Sequence, residues 1–176
     1  MTSPDTYAAF MLDHTAGNLT PAMNLAASIH RLMSSEGDEA ATLWESVRKA
    51  LVSEGDHRTE NHETEPHVTT ALNIIHTDYS DVNWRRGLSG VHYAKSPIKN
   101  GQLMRLKPGQ SVFSHGHSRL EATVVLEGTL DDGLGVYEVG DILLAEPGLQ
   151  HKPSAGGNQS CTCFVARSPK PFWRLT

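Results

Sequence analysis

The stretch from Gly109 to Gly128 constrains what this chain can fold into more than any other. It reads Gly109, five residues, His115-Gly116-His117, three residues, Glu121, six residues, Gly128. Alternate residues of a strand share one face, so His115 and His117 can aim both imidazoles at one interior. Glu121 has the same parity and rejoins that face after Ser118-Arg119-Leu120. Two imidazoles and a carboxylate form a borderline donor set suited to zinc, iron, manganese, nickel or copper. One segment cannot finish such a site, so a fourth ligand has to come from a neighbouring strand. His151 follows the turn Pro147-Gly148, where an antiparallel return would lie.

The texture around this stretch agrees with a β-rich setting. From Val82 onward short runs alternate with glycine and proline: Gly90 to Tyr93, Gln102 to Leu106, Ala122 to Leu126, Val136 to Glu138, Ile142 to Ala145, and Cys161 to Ala166. Pro108-Gly109, Gly128, Asp131-Asp132-Gly133, Gly140 and Pro147-Gly148 supply turns between them. Many short strands at such spacing indicate an all-β sandwich or barrel.

The first 55 residues have a different period. Ser3-Pro4 and Thr20-Pro21 each place a cap residue before a proline at the first helical position. Tyr7, Phe10, Met11 and His14 follow the first start at helical spacing, and Gly17 stops that segment. Ala22, Leu25, Ala26, Ile29, Leu32 and Met33 form a second stripe, expected to end at Gly37. A third helix is expected from Asp38 to Glu54, with Ala40, Trp44, Val47 and Leu51 on one face. Three short amphipathic helices need one another or a partner to bury their stripes. Residues 56–66 contain no apolar side chain and read as a linker, whereas 67–80 suit a short helix or a strand.

These residues resemble a known family. Gly109 to Gly128 is similar to the first motif of the cupin superfamily, and residues 140–151 resemble the second with one extra residue before Pro147. A closer resemblance is to ChrR-type anti-sigma factors, carried by Tyr79 to Val91, His115 to Gly128, Cys161-Thr162-Cys163 and Pro171-Phe172-Trp173-Arg174. It implies a mainly β chain: a small all-α N-terminal domain at 1–55, a linker at 56–78, and a cupin domain, a double-stranded β-helix or jelly-roll barrel, at 79–176. It also implies one divalent metal, zinc in that family, held by His115, His117, Glu121 and His151. An extracytoplasmic-function sigma factor is the partner it implies for the N-terminal helices. Thr15 to Leu19 and Ala27 to His30 are similar to the family's first two helices. The family's second zinc site, in the helical domain, has only His30 here; Ser34 and Gly37 stand where its cysteines belong, and Asp5 stands near its upstream histidine. One ligand cannot make a closed tetrahedral site.

Charge and composition narrow the remaining classes. Residues 1–98 hold 13 acidic and 7 basic side chains, and residues 99–176 hold 7 and 8. An acidic half beside a neutral one argues against a nucleic-acid surface and permits a basic protein partner, with an ordinary solvated acidic face as the plainer account of the charge; a homodimer is a further partner the chain allows. No run of 18 apolar residues offers a membrane span, and the basic start of a signal peptide is lacking, so a cytoplasmic setting is expected. Cys161 and Cys163 share one strand face and read as small buried hydrophobes, with a redox pair as the alternative. Arg119 is a candidate to orient Glu121. His57, His62 and His67 read as linker residues, and His14 and His30 as packing residues. The leading reading is a ChrR-like transcriptional regulator, responsive to stress, with a metal-binding cupin sensor. The alternative is a cupin dioxygenase or related oxidoreductase using iron, manganese or nickel, with open coordination positions for a small substrate.

Overall fold

The computed structural model describes residues 3–52 and 66–169. Four helices come first. In α1 (Pro4–Thr15), Ser3 caps the first turn by accepting from the Thr6 N–H at 3.1 Å, and Pro4 takes the first helical position. In α2 (Pro21–Met33), Thr20 stands before Pro21, and every residue from Leu25 to His30 is buried. The helix α3 (Ser35–Val52) starts earlier than its sequence suggests, and α4 (Pro66–Ile75) resolves the ambiguous stretch as helix. The expected linker residues 56–65 lie outside the described residues.

Gly37 does not stop α2. Ser34, in extended conformation, ends it, and Gly37 lies in the first turn of α3. A Cβ there would sit 2.8 Å from His30 Cδ2 and 2.9 Å from the His30 carbonyl oxygen. The glycine permits close approach of two helices, a role that a sequence pattern cannot distinguish from a stop signal.

The strands form a barrel of two unequal walls. One is a six-stranded antiparallel sheet in the order β1 (Arg85–Arg86), β2 (His92–Lys95), β3 (Gly101–Leu106), β11 (Cys161–Arg167), β5 (Glu121–Glu127) and β8 (Ile142–Ala145). The other is made of short pieces. A three-stranded sheet joins β10 (Ser154–Ala155), β6 (Leu130–Asp131) and β7 (Val136–Tyr137), and a two-stranded ribbon joins β4 (His115–Gly116) to β9 (Gln150–His151).

The large sheet is buried on both faces. Leu103, Ala122, Val124, Leu144, Phe164 and Ala166 pack outward with Leu25, Ala26 and Ile29 of α2, which α4 and α3 flank. Met104, Val125, Leu143, Cys161, Cys163 and Val165 pack inward with Leu130 of the opposite wall. Successive side chains go to opposite faces, so a strand covered on both sides needs apolar residues at every position. That accounts for the unbroken runs Ala122–Leu126 and Cys163–Ala166. Among the described residues no helix is long and apolar enough to cross a membrane.

The helical layer is fastened to the barrel where α2 ends. His30 is 1% exposed; its Nδ1 lies 2.7 Å from the Gly140 carbonyl oxygen, and its Nε2 lies 2.9 Å from the Tyr7 hydroxyl. Thr6 donates to the Glu146 carboxylate nearby. Gly140 has φ +92°, and a Cβ on it would meet the Met33 carbonyl oxygen at 2.6 Å. Gly140→Ala combines a disfavoured backbone with a clash against backbone. We expect it to destabilise the protein by about 2 kcal/mol or more in chemical denaturation. A loss under about 0.5 kcal/mol would mean that the helices sit loosely on the barrel.

Candidate metal centre

The site is assembled by a two-stranded ribbon of two-residue strands, the loop after β4, and the start of the long strand β5. His115 in β4 is the direct antiparallel partner of His151 in β9, so the two imidazoles rise side by side. The Gly148 N–H donates to the His117 carbonyl at 2.8 Å, and the His117 N–H reaches Leu149 at 3.3 Å. The turn that includes Pro147 and Gly148 thereby brings His117 against the same ribbon. Glu121 opens β5 and enters from the large sheet, opposite Ala145 of β8 and Arg167 of β11.

Four donor atoms, one each from His115, His117, Glu121 and His151, lie within 4.8 Å of one another. The three ring centroids are 4.7 to 4.8 Å apart. His117 Nε2 and His151 Nε2 face each other at 2.8 Å. The His115 Nδ1–H donates to the Phe113 carbonyl at 2.8 Å, a tautomer that leaves Nε2 as a lone pair. Three nitrogens and one carboxylate oxygen, aimed at a common point with two of the four residues buried, fit a transition-metal ion. Among the described residues this is the only such convergence of three or more ligand-type side chains.

The environment favours neutral rings. Burial holds the His117 imidazole below its ordinary value; Glu121 opposes this, while His115 and Arg167 add to it. Burial also lowers His151, with further repulsion from His117 and His115. The Glu121 carboxylate accepts from Arg167 Nε at 2.7 Å, which fixes one oxygen and balances its charge. Arg119, the sequence candidate for that task, instead donates to the Pro169 carbonyl at 2.6 Å. Arg167 could have been found from the parity of its strand, since it shares a face with Cys161, Cys163 and Val165.

Space differs on the two sides of the cluster. Inward lies a cavity of about 30 Å³, bounded by residues that include Met104, Thr123, Leu143 and Val165. That is room for a water or two, because one water needs roughly 10–15 Å³ of such volume. Outward lies a groove of about 380 Å³ lined by residues that include Asn100, Ser118, Arg119 and Ser168.

The other candidates are placed as follows. Cys161 and Cys163 are free, fully buried thiols with their sulfurs 3.5 Å apart. The hydrogen bond shared with Cys161, together with burial, pushes the Cys163 thiol well above its ordinary range, which suits an inert pair. His14 Nδ1 lies 2.6 Å from Asn24 Oδ1. His30 has both ring nitrogens engaged, as described, and Gly37 offers no donor, so no metal site is built around it. His67 lies in α4, while His57 and His62 lie outside the described residues.

A family model described as the ChrR Cupin-like domain matches residues 73–171. The chain belongs to this family. It is 28% identical to the anti-sigma-E factor ChrR of Cereibacter sphaeroides, over 95% of this chain and 96% of that one. Its fold superposes with a TM-score of 0.77 on a chain from the crystal structure of Rhodobacter sphaeroides SigE in complex with the anti-sigma ChrR. Sequence identity there is 26%, covering 92% of this chain and 96% of the other. The likeness to ChrR therefore spans the helices as well as the cupin barrel.

The lowered imidazole values make a pH expectation for the metal-free ChrR-like chain. His117 and His151 should titrate below the ordinary 6.5 when followed by NMR of their ring protons. A folded-state value below the unfolded one means that the fold resists protonation. The associated stability is intact above 6.5 and is lost as pH falls from there through the folded values. Midpoints at or above 6.5 would show that burial does not govern these rings.

Proposed function

We propose that this chain is a cytoplasmic anti-sigma regulator of transcription in stress responses, its cupin domain sensing through a zinc-type centre at His115, His117, Glu121 and His151. The observation that carries the reading is likeness across the whole architecture, with helices and barrel both matching ChrR, together with a complete set of converging ligands. Helices α1 to α3 would engage an extracytoplasmic-function sigma factor, and a unit from about residue 79 to 176 would hold the metal. A zinc ion with four protein ligands is coordinatively closed and would tie β4, β5 and β9 together.

The chain's own residues supply a route from the centre to the helices. Strand β5 presents Glu121 to the site and, one residue on, Ala122 to the helix-packed face. Strand β11 does the same with Arg167 and Ala166. Any change that frees Glu121 from its place bears on two strands against which α2 packs. His30, held by Tyr7 and Gly140, keeps the end of α2 in place without the cysteines that the family uses there. The enzyme alternative finds little support inward, where about 30 Å³ excludes an organic substrate, so a substrate would need the outer groove.

Two experiments test this reading. Elemental analysis of purified protein should give one transition metal per chain, zinc first among them. His151→Ala should lose most of that metal, because water restores only part of a lost ligand's contribution. The exposed His76 serves as control, and His76→Ala should keep its metal. Normal loading of the His151 variant would remove that residue from the ligand set. Independently, the chain should co-purify with a co-expressed extracytoplasmic-function sigma factor from its own genome. Failure with every such factor would sink the anti-sigma role and leave the metal centre standing.

A further inference from the structure

Asp132 and His151 confront each other in the buried wall of the site. His151 Nδ1 and Asp132 Oδ2 are 3.8 Å apart, and their side chains are 1% and 0% exposed. Neither atom has a hydrogen-bond partner. A separation of 3.8 Å is too long for a hydrogen bond, and a buried polar group left unsatisfied is costly to the fold. Such a pair calls for a state of the protein in which the two atoms are joined.

Everything else about Asp132 is fixed. Its Oδ1 accepts from the N–H groups of Leu134 and Gly135 at 2.8 and 2.7 Å. Its own N–H donates to the Gly135 carbonyl, and its carbonyl accepts from the Lys152 N–H, both at 3.1 Å. The turn between β6 and β7 therefore grips one carboxylate oxygen and leaves the other aimed at His151. Lys152 directly follows His151, so the segment that carries the imidazole also anchors the acid.

The other end of the imidazole explains what is missing. His151 Nε2 faces His117 Nε2 at 2.8 Å, a spacing at which two ring nitrogens share a proton or a cation. A neutral imidazole has one N–H, on Nε2 or on Nδ1. With Nε2 given to a metal, the proton has to sit on Nδ1, where Asp132 is the acceptor in front of it.

We propose that Asp132 is a positioning residue of the metal centre, accepting the Nδ1 proton of His151 and so fixing that ring's tautomer and orientation. The inference rests on the metal reading above. Asp132 is not a ligand, and the short gap closes by a small turn of the His151 ring once Nε2 is engaged.

The test compares full-length wild type, Asp132→Asn and Asp131→Asn, with zinc as the probe and a competing chelator to measure affinity. Asparagine keeps Oδ1 as the acceptor for Leu134 and Gly135, so the turn survives, but it places an N–H donor toward His151. We expect Asp132→Asn to bind zinc about 10- to 100-fold more weakly. Asp131, whose Oδ1 only caps the Gly133 N–H at 2.9 Å, should be replaceable without effect. Nitrogen NMR of histidine-labelled, zinc-loaded wild type should show the His151 proton on Nδ1, and its resonance should move in Asp132→Asn. An Asp132→Asn affinity within twofold of wild type overturns the proposal. So does a wild-type His151 without a proton on Nδ1, a result that stands even if the variant does not fold. Absence of zinc binding by wild type itself would instead overturn the metal reading.

Discussion

Double burial of β5 and β11 is the constraint on which the rest of the structure depends. One face of these strands closes the barrel interior and the other carries α2. Because the sheet has no wet side at its centre, the helical layer is part of its hydrophobic cover. Removing that layer would expose Val124, Leu144 and Phe164 to water, a large penalty at roughly 1.5–3 kcal/mol for each large side chain. The same strands end in Glu121 and Arg167, so the polar centre and the helix seat are opposite faces of one element.

This arrangement decides how much could be read from the sequence. The clustering of His115, His117, Glu121 and His151 was legible from motif spacing: His115 and His117 are two apart, Glu121 is four further on, and His151 follows a recognisable turn. The three-layer burial was not legible, because an apolar run such as Ala122–Leu126 has the same pattern on a strand or a buried helix. The strands β4, β6, β9 and β10 are two residues each, too short to carry any period. Gly37 was expected to end α2, and the structure uses it instead to let α3 approach His30.

The supporting residues of the centre were hidden for another reason. Asp132 lies in Asp131-Asp132-Gly133, whose composition is fully explained by turn chemistry. Its turn role is real, since Oδ1 caps two N–H groups, and that role masks what the second oxygen faces. Arg119 was a candidate for Glu121 by nearness in sequence, with a solvated loop arginine as the equal alternative, yet the strand register brings Arg167 to it across 46 residues. Strand parity narrows the choice to one face of β11, but which residue of that face meets Glu121 is set by a register between segments far apart in sequence.

A comparison of buried histidines shows why satisfaction, rather than burial, separates a structural ring from a ligand. His30 and His151 are 1% and 4% exposed. His30 has each nitrogen placed against a protein oxygen, so its contribution is complete as it stands, and a metal would have to displace one of those partners to take it. His151 has one nitrogen against another imidazole and the other bare. His92 also has a bare Nδ1, but no set of ligand-type side chains converges on it. Among the described residues, only His151 combines an unmet need with neighbours of the right chemistry. The helical half of this chain thus holds His30 in an ordinary hydrogen-bonded clasp. The barrel holds three crowded imidazoles, one with a bare Nδ1, beside a carboxylate, an arrangement that makes physical sense when a cation joins it.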